Sequence, residues 1–162
     1  MTPYSKIYDR FFHRIEEDRD FFNYYELSDD QVMEVAQQRA SGYMEEAVSR
    51  IILECFPQID FTDRNPEGDA FSADLTRAEE HLLASLMFEQ YLERDISYLK
   101  RMCVNYTSKE LQVFSPDNWR NSFNALYQSV KQDNDRLMSQ YKDKDRLTGQ
   151  YLSVDFASYD TE

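Results

Sequence analysis

Apolar side chains recur at three- and four-residue steps near the start of the chain: Tyr4, Ile7, Tyr8, Phe11, Phe12 and Ile15, with Lys6, Asp9, Arg10, Arg14 and Glu17 between them. That spacing gathers the apolar set into one stripe of a helix. Thr2 as N-cap with Pro3 at the first helical position is a favoured start. Between Asp20 and Leu27 the rings of Phe21, Phe22, Tyr24 and Tyr25 crowd together without helical spacing. This segment is expected to be a loop whose rings either plug a core edge or meet a partner. Ser28 with Gln31 fits a capping box, and Asp29 and Asp30 suit the positive end of a helix dipole. The helix they open is expected to reach about Cys55, burying Val32, Ala36, Ala40, Tyr43, Ala47, Ile51 and Cys55, with Pro57 ending it. Gly42 inside it costs about 1 kcal/mol relative to Ala, which close approach of a second helix would justify.

Residues 56–75 read as an acidic loop, with Pro57, Pro66, Gly68 and five acids against one Arg. Thr76 and Glu79 form a second capping box. Leu82, Leu83, Leu86, Met87, Tyr91 and Leu92 trace the core face of a third helix, which could continue through Ile96, Leu99 and Met102. Val104 to Phe114 reads as a linker with a short turn. Ser115-Pro116 opens a last helix with the stripe Trp119, Phe123, Leu126, Val130, Leu137 and Tyr141, interrupted by Asp133. From Asp143 the helical pattern dissolves. The expected fold is therefore all-α: a four-helix bundle-like core over residues 1–142 and an extended C-terminal arm over 143–162. No internal repeat is visible.

Composition sharpens this. The chain has 162 residues, so one domain is expected. Twelve Tyr and 11 Phe supply large buried area and argue against disorder. The net charge of −13 opposes binding to a phosphate backbone, which needs clustered Lys and Arg. The last helix is the exception, with Asp117, Asp133 and Asp135 against Arg120, Lys131, Arg136 and Lys142. The longest nearly apolar run, Leu82 to Phe88, falls far short of the roughly 20 residues that span a bilayer. With no signal-peptide pattern at the N-terminus, a cytoplasmic product is expected. Cys55 and Cys103 have no second pair and read as buried, reduced thiols.

Searching for chemistry returns little. His13 and His81 are the only histidines, neither preceded by an acid at the spacing of di-iron sites. No Gly-rich phosphate loop, nucleophile elbow or zinc-protease motif occurs. One spacing resembles a calcium loop: Asp63, Asn65, Glu67, Asp69 and Asp74, with Gly68 at the sixth position. Pro66 inside it and Phe71 at the ninth place oppose that geometry, so a solvated acidic loop is the better account. No enzyme, no cofactor and no metal are expected.

Three stretches belong together: Thr2-Pro-Tyr-Ser-Lys-Ile-Tyr-Asp-Arg-Phe11, Asp74-Leu-Thr-Arg-Ala-Glu-Glu-His-Leu-Leu83, and Val113-Phe-Ser-Pro-Asp-Asn118 leading into a long polar helix. In this order they resemble small head–tail connector (neck) proteins of tailed bacteriophages and related prophages, over about residues 2–142. The resemblance implies an all-α adaptor that docks beneath the portal protein as a homo-oligomeric ring, usually a dodecamer. Such a ring meets other neck or tail-completion proteins and lines a channel through which DNA passes without specific binding. It implies location in the virion neck, after assembly in the host cytoplasm, no membrane, and no catalytic residues. An acidic lining would keep DNA from adsorbing. The competing expectation is a phage-encoded inhibitor whose carboxylates mimic DNA for a host nucleic-acid-binding protein.

The arm carries Tyr151, Leu152, Val154, Phe156 and Tyr159, more apolar surface than a solvating tail needs. Alternation at Leu152, Val154 and Phe156 suits a strand that pairs with another chain. The arm is expected to dock on a partner and to be mobile in the free chain, or alternatively to fold back on its own bundle. The aromatic loop Phe21, Phe22, Tyr24 and Tyr25 is the second candidate partner surface.

Overall fold

The computed structural model describes residues 1–16, 19–22, 24, 27–105 and 116–152, with side chains left aside at 19–20, 95–105 and 116–120. Among the described residues five helices carry the fold: α1 (Tyr4–Arg14), the one-turn α2 (Arg19–Phe22), α3 (Asp29–Cys55), α4 (Arg77–Asn105) and α5 (Pro116–Lys142). The all-α expectation holds, with four longer helices and one small sheet. In that sheet β1 (Thr2–Pro3) pairs antiparallel with β2 (Ala70–Phe71). Among the described residues no helix is long and apolar enough to cross a membrane.

α4 is the central element, packing against α1, α3 and α5. Arg50 of α3 reaches Asp135 of α5, and the Cys55 thiol donates to the carbonyl of Met138, so α3 and α5 run the same way. α4 runs opposite to α5, since Glu79 meets Tyr141 while Glu89 meets Asn134. The core holds Ile7, Phe11, Ala40, Met44, Ile51, Leu83, Leu86 and Met87. Phe11 sits amid rings, its centroid 5.7 Å from Tyr43, 6.0 Å from Phe21 and 6.2 Å from Tyr91.

Both capping boxes form. Gln31 accepts from the Ser28 backbone N–H at 3.0 Å. Thr76 N–H donates to Glu79 at 2.7 Å, while Glu79 N–H donates back to the Thr76 hydroxyl at 3.3 Å. α3 ends where Phe56 turns left-handed (φ 49°) just before Pro57. α4 continues unbroken through Ile96, Leu99 and Met102.

Several sequence expectations need correction. Thr2 is no N-cap: Pro3 holds that position with ψ 144°, the extended geometry that lets it pair with β2. The N–H of Tyr4 is satisfied by the Asp69 carbonyl at 2.9 Å, leaving the Thr2 hydroxyl to accept from Leu75 N–H at 2.8 Å. Gly42 has no close neighbour, since a Cβ placed there meets nothing within 4 Å. It lies over an open cleft between α3 and α4, not at a helix crossing. The polar residue that enters the α5 stripe is Asn134, fully buried, while Asp133 is exposed and Leu126 is 47% exposed.

The 56–75 loop has an interior. Phe61 and Phe71 are fully buried with their rings edge to face, and the Arg64 guanidinium lies 4.5 Å from the Phe71 centroid. Nor does the fold end at Lys142. Residues 143–152 turn back as a hairpin: Lys144 bridges to Tyr151, Leu152 N–H donates to the Asp143 carbonyl at 2.8 Å, and Gly149 supplies the positive φ of 67°. The described part of the expected extended arm is thus compact, because Asp145 accepts from the N–H groups of Leu147 and Thr148 and closes the turn.

Candidate docking surface

The two partner-binding segments expected from sequence fall in different environments. Phe21 is 1% exposed and seals the core, with Arg39 lying 4.0 Å over its ring and donating to its carbonyl at 3.1 Å. Phe22 is half-buried beside Phe12, and Tyr24 is half-buried where its hydroxyl accepts from Arg39. In this structure the described rings of that segment plug the core edge. Tyr25 lies outside the described residues.

At the other segment Tyr151 and Leu152 are 72% and 53% exposed, while Val154, Phe156 and Tyr159 lie outside the described residues. The structure adds neighbours that sequence reasoning missed. Phe56, at the end of α3, is 77% exposed, and Lys142 Nζ stands 5.7 Å from its ring. Lys144 Nζ stands 5.0 Å from the Tyr151 ring. Gln58 links the two sites, donating to the Lys144 carbonyl and accepting from Arg146 N–H, both at 3.3 Å. One end of the bundle, where α3 and α5 terminate, therefore presents exposed rings with ammonium groups above them. Such an amphipathic face suits a protein partner better than a small substrate.

The hairpin reaches the bundle through one buried ion pair. Glu79 is fully buried, and Arg146 grips it as a fork: Nε to Oε1 and Nη2 to Oε2, each at 2.9 Å. Tyr141 adds an O–H donor at 3.0 Å. Burial pushes the Glu79 carboxyl pKa up, but hydrogen bonds from Arg146, Thr76 and Tyr141 outweigh it and hold the group below its ordinary value. The same carboxylate, with burial, raises the Tyr141 phenol above its usual range.

Two more carboxylates of α4 are buried in the same manner. Glu80, 1% exposed, is gripped by Lys6 and by Arg10 at 3.0 Å, both from α1. Glu89, 2% exposed, takes Arg50 of α3 at 2.7 Å and the Asn134 amide of α5 at 2.8 Å. Ser85 completes that layer, its hydroxyl donating to the side-chain Oδ1 of Asn134 at 2.6 Å. Each of these three buried acids of the central helix thus fastens a different neighbour. A sequence signal existed, since Glu79 and Glu89 fall three residues from Leu82 and Leu86 on the same stripe. Acids on a helix read as solvent-facing, and that ordinary reading masks the signal.

The residues with calcium-loop spacing do not converge. Asn65 Oδ1 accepts from the N–H groups of Asp69 and Ala70, each at 2.9 Å, and its amide donates to Asp69 at 2.7 Å. Asp74 instead faces the N-terminal ammonium at 3.7 Å. Among the described residues no cluster of three or more His, Cys, Asp or Glu could hold a metal. His13 pairs with Glu16 on the surface, and His81 lies on the α4 face near Arg14.

Compared with known proteins, the chain matches no family model, no curated protein and no solved structure.

Proposed function

We propose that this protein is a structural adaptor of the phage neck type, a homo-oligomeric ring beneath a portal protein that joins head to tail. The reading assigns it an assembly role without catalysis, in the virion neck. One observation carries it. Two of the three blocks that carry the resemblance, residues 2–11 and 74–83, are one interlocked unit. Thr2 holds Leu75 N–H, and Lys6 and Arg10 clamp Glu80. Blocks that hold each other physically are what a shared structural motif would require, and this supports the reading. The exposed rings at the hairpin end supply a face for a protein partner.

Charge layout weighs against a DNA mimic. A mimic needs carboxylates in outward rows, whereas Glu79, Glu80 and Glu89 of the longest helix point inward and are neutralised by this chain's own cations. Mixing the purified chain with the portal protein encoded beside it and imaging by negative stain tests the proposal. Rings capping the portal are expected; portals that stay bare while the chain remains monomeric would refute it.

A further inference from the structure

The hairpin over residues 143–152 is fastened unlike any other element. None of its apolar side chains is buried: Leu147, Tyr151 and Leu152 are 77%, 72% and 53% exposed. It contributes no hydrophobic anchor, and Arg146 is its main hold on the bundle. That residue enters a recess whose far wall is α4. The recess offers the two oxygens of Glu79 as a planar acceptor pair and the Asp74 carbonyl as a third acceptor, 2.7 Å from Nη2. Tyr141 O–H and Thr76 N–H, both from the bundle itself, hold the carboxylate in place. Beside it Arg146 lines one wall of a half-enclosed cleft of about 190 Å³ whose other walls include the apolar groups of Leu82, Leu137 and Tyr141. Planar bidentate acceptors with an apolar slot are the features that recognise a guanidinium in preference to an ammonium.

We propose that this recess is a guanidinium-binding socket which Arg146 fills as a displaceable internal ligand, making the hairpin a strap that opens without unfolding the helices. Opening leaves a carboxylate in need of a cation, so the open form is completed by another arginine side chain entering the same recess. The ligand class is fixed by the geometry: a planar, bidentate cation on an alkyl stem.

Two measurements test this. In the full-length chain, Arg146→Ala lowers Tm by about 6–20 °C, as removal of one member of a buried pair should. Ethylguanidinium chloride at sub-denaturing concentration then restores part of that loss, while ethylammonium chloride at equal ionic strength does not. The double variant E79Q/R146A responds to neither. Equal effects of the two cations, or recovery in the double variant, would overturn the socket. Should Arg146→Ala not fold, hydrogen exchange on the unaltered chain decides. The amides of Asp145, Gly149 and Leu152 are expected to exchange at least ~10-fold faster than those of Leu83 to Met87. Protection of the hairpin equal to that of α4 would remove the strap.

Discussion

Single side chains behave here according to what surrounds them, and two substitutions of opposite sign make the point. Leu86 is 1% exposed in the middle of α4. Leu86→Ala should cost about 2–5 kcal/mol in urea denaturation, the transfer loss plus the cavity left among rigid neighbours. Gly42 lies inside α3 with nothing near the place of a Cβ. Gly42→Ala should therefore stabilise by about 0.5–1 kcal/mol, by restricting the unfolded chain and restoring helix propensity. A loss of stability there would mean that α3 meets a partner at that point. Asn134 belongs to the same level. Its amide spans Ser85 and Glu89, so a residue that looks like an interruption of the α5 stripe satisfies two polar groups buried beside it.

Buried ion pairs join apolar burial in holding helices and hairpin in place, and this gives stability a pH dependence. The Glu79 pKa is depressed below its ordinary 4.5 in the folded chain. Its contribution is present above that value and fades as pH falls through the lower folded one. Urea midpoints of the unaltered chain and Glu79→Gln should differ at pH 7 and converge as pH falls below 4.5 and through the lower folded value. His81 acts in the same direction in a higher window. Burial first, then the charges of Arg14 and Arg10, lowers its pKa from 6.5, so its contribution is present above pH 6.5 and declines as the solution is acidified further. Truncation after Asp143 removes Arg146 and strands Glu79. The truncated chain should lose about 3–5 kcal/mol, read as a fall in Tm. An unchanged Tm would show that the hairpin adds nothing to the bundle.

At the scale of the whole molecule, five of the 18 cations form ties between elements. Lys6, Arg10, Arg50, Arg64 and Arg146 each pair with an acid of another element, which leaves the −13 surplus to dominate the surface. The protein should not retain duplex DNA at physiological salt, since counterion release needs basic groups aligned and free. A gel-shift assay checks this, and tight, salt-sensitive binding would contradict it. The same economy shapes the architecture. α4 carries three inward carboxylates, and α1, α3 and the hairpin each bring an arginine to one of them. A wrong packing order would leave a charge buried and unmatched, so these pairs disfavour alternatives more than they add net stability.

The helices were legible in the chain because their signals are local. Ser28 with Gln31, Thr76 with Glu79, and Pro57 after Cys55 lie within a few residues of the ends they mark. Apolar spacing along α3 and α4 then names the buried faces, since periodicity is set by helix geometry alone. What tertiary structure decided lies between residues far apart in sequence. Arg146 and Glu79 are 67 positions apart, Arg50 and Asp135 are 85, and Asn134 and Ser85 are 49. Nothing in the segment around Arg146 marks it as the partner of a buried acid, and a glutamate on a helix reads as solvent-facing until its neighbours are known. Exposed Phe56 likewise joins Tyr151 in one surface only because α3 and α5 end side by side. Local order follows from short-range sterics and hydrogen bonding, whereas burial of charge and the gathering of a surface require the chain to have closed on itself.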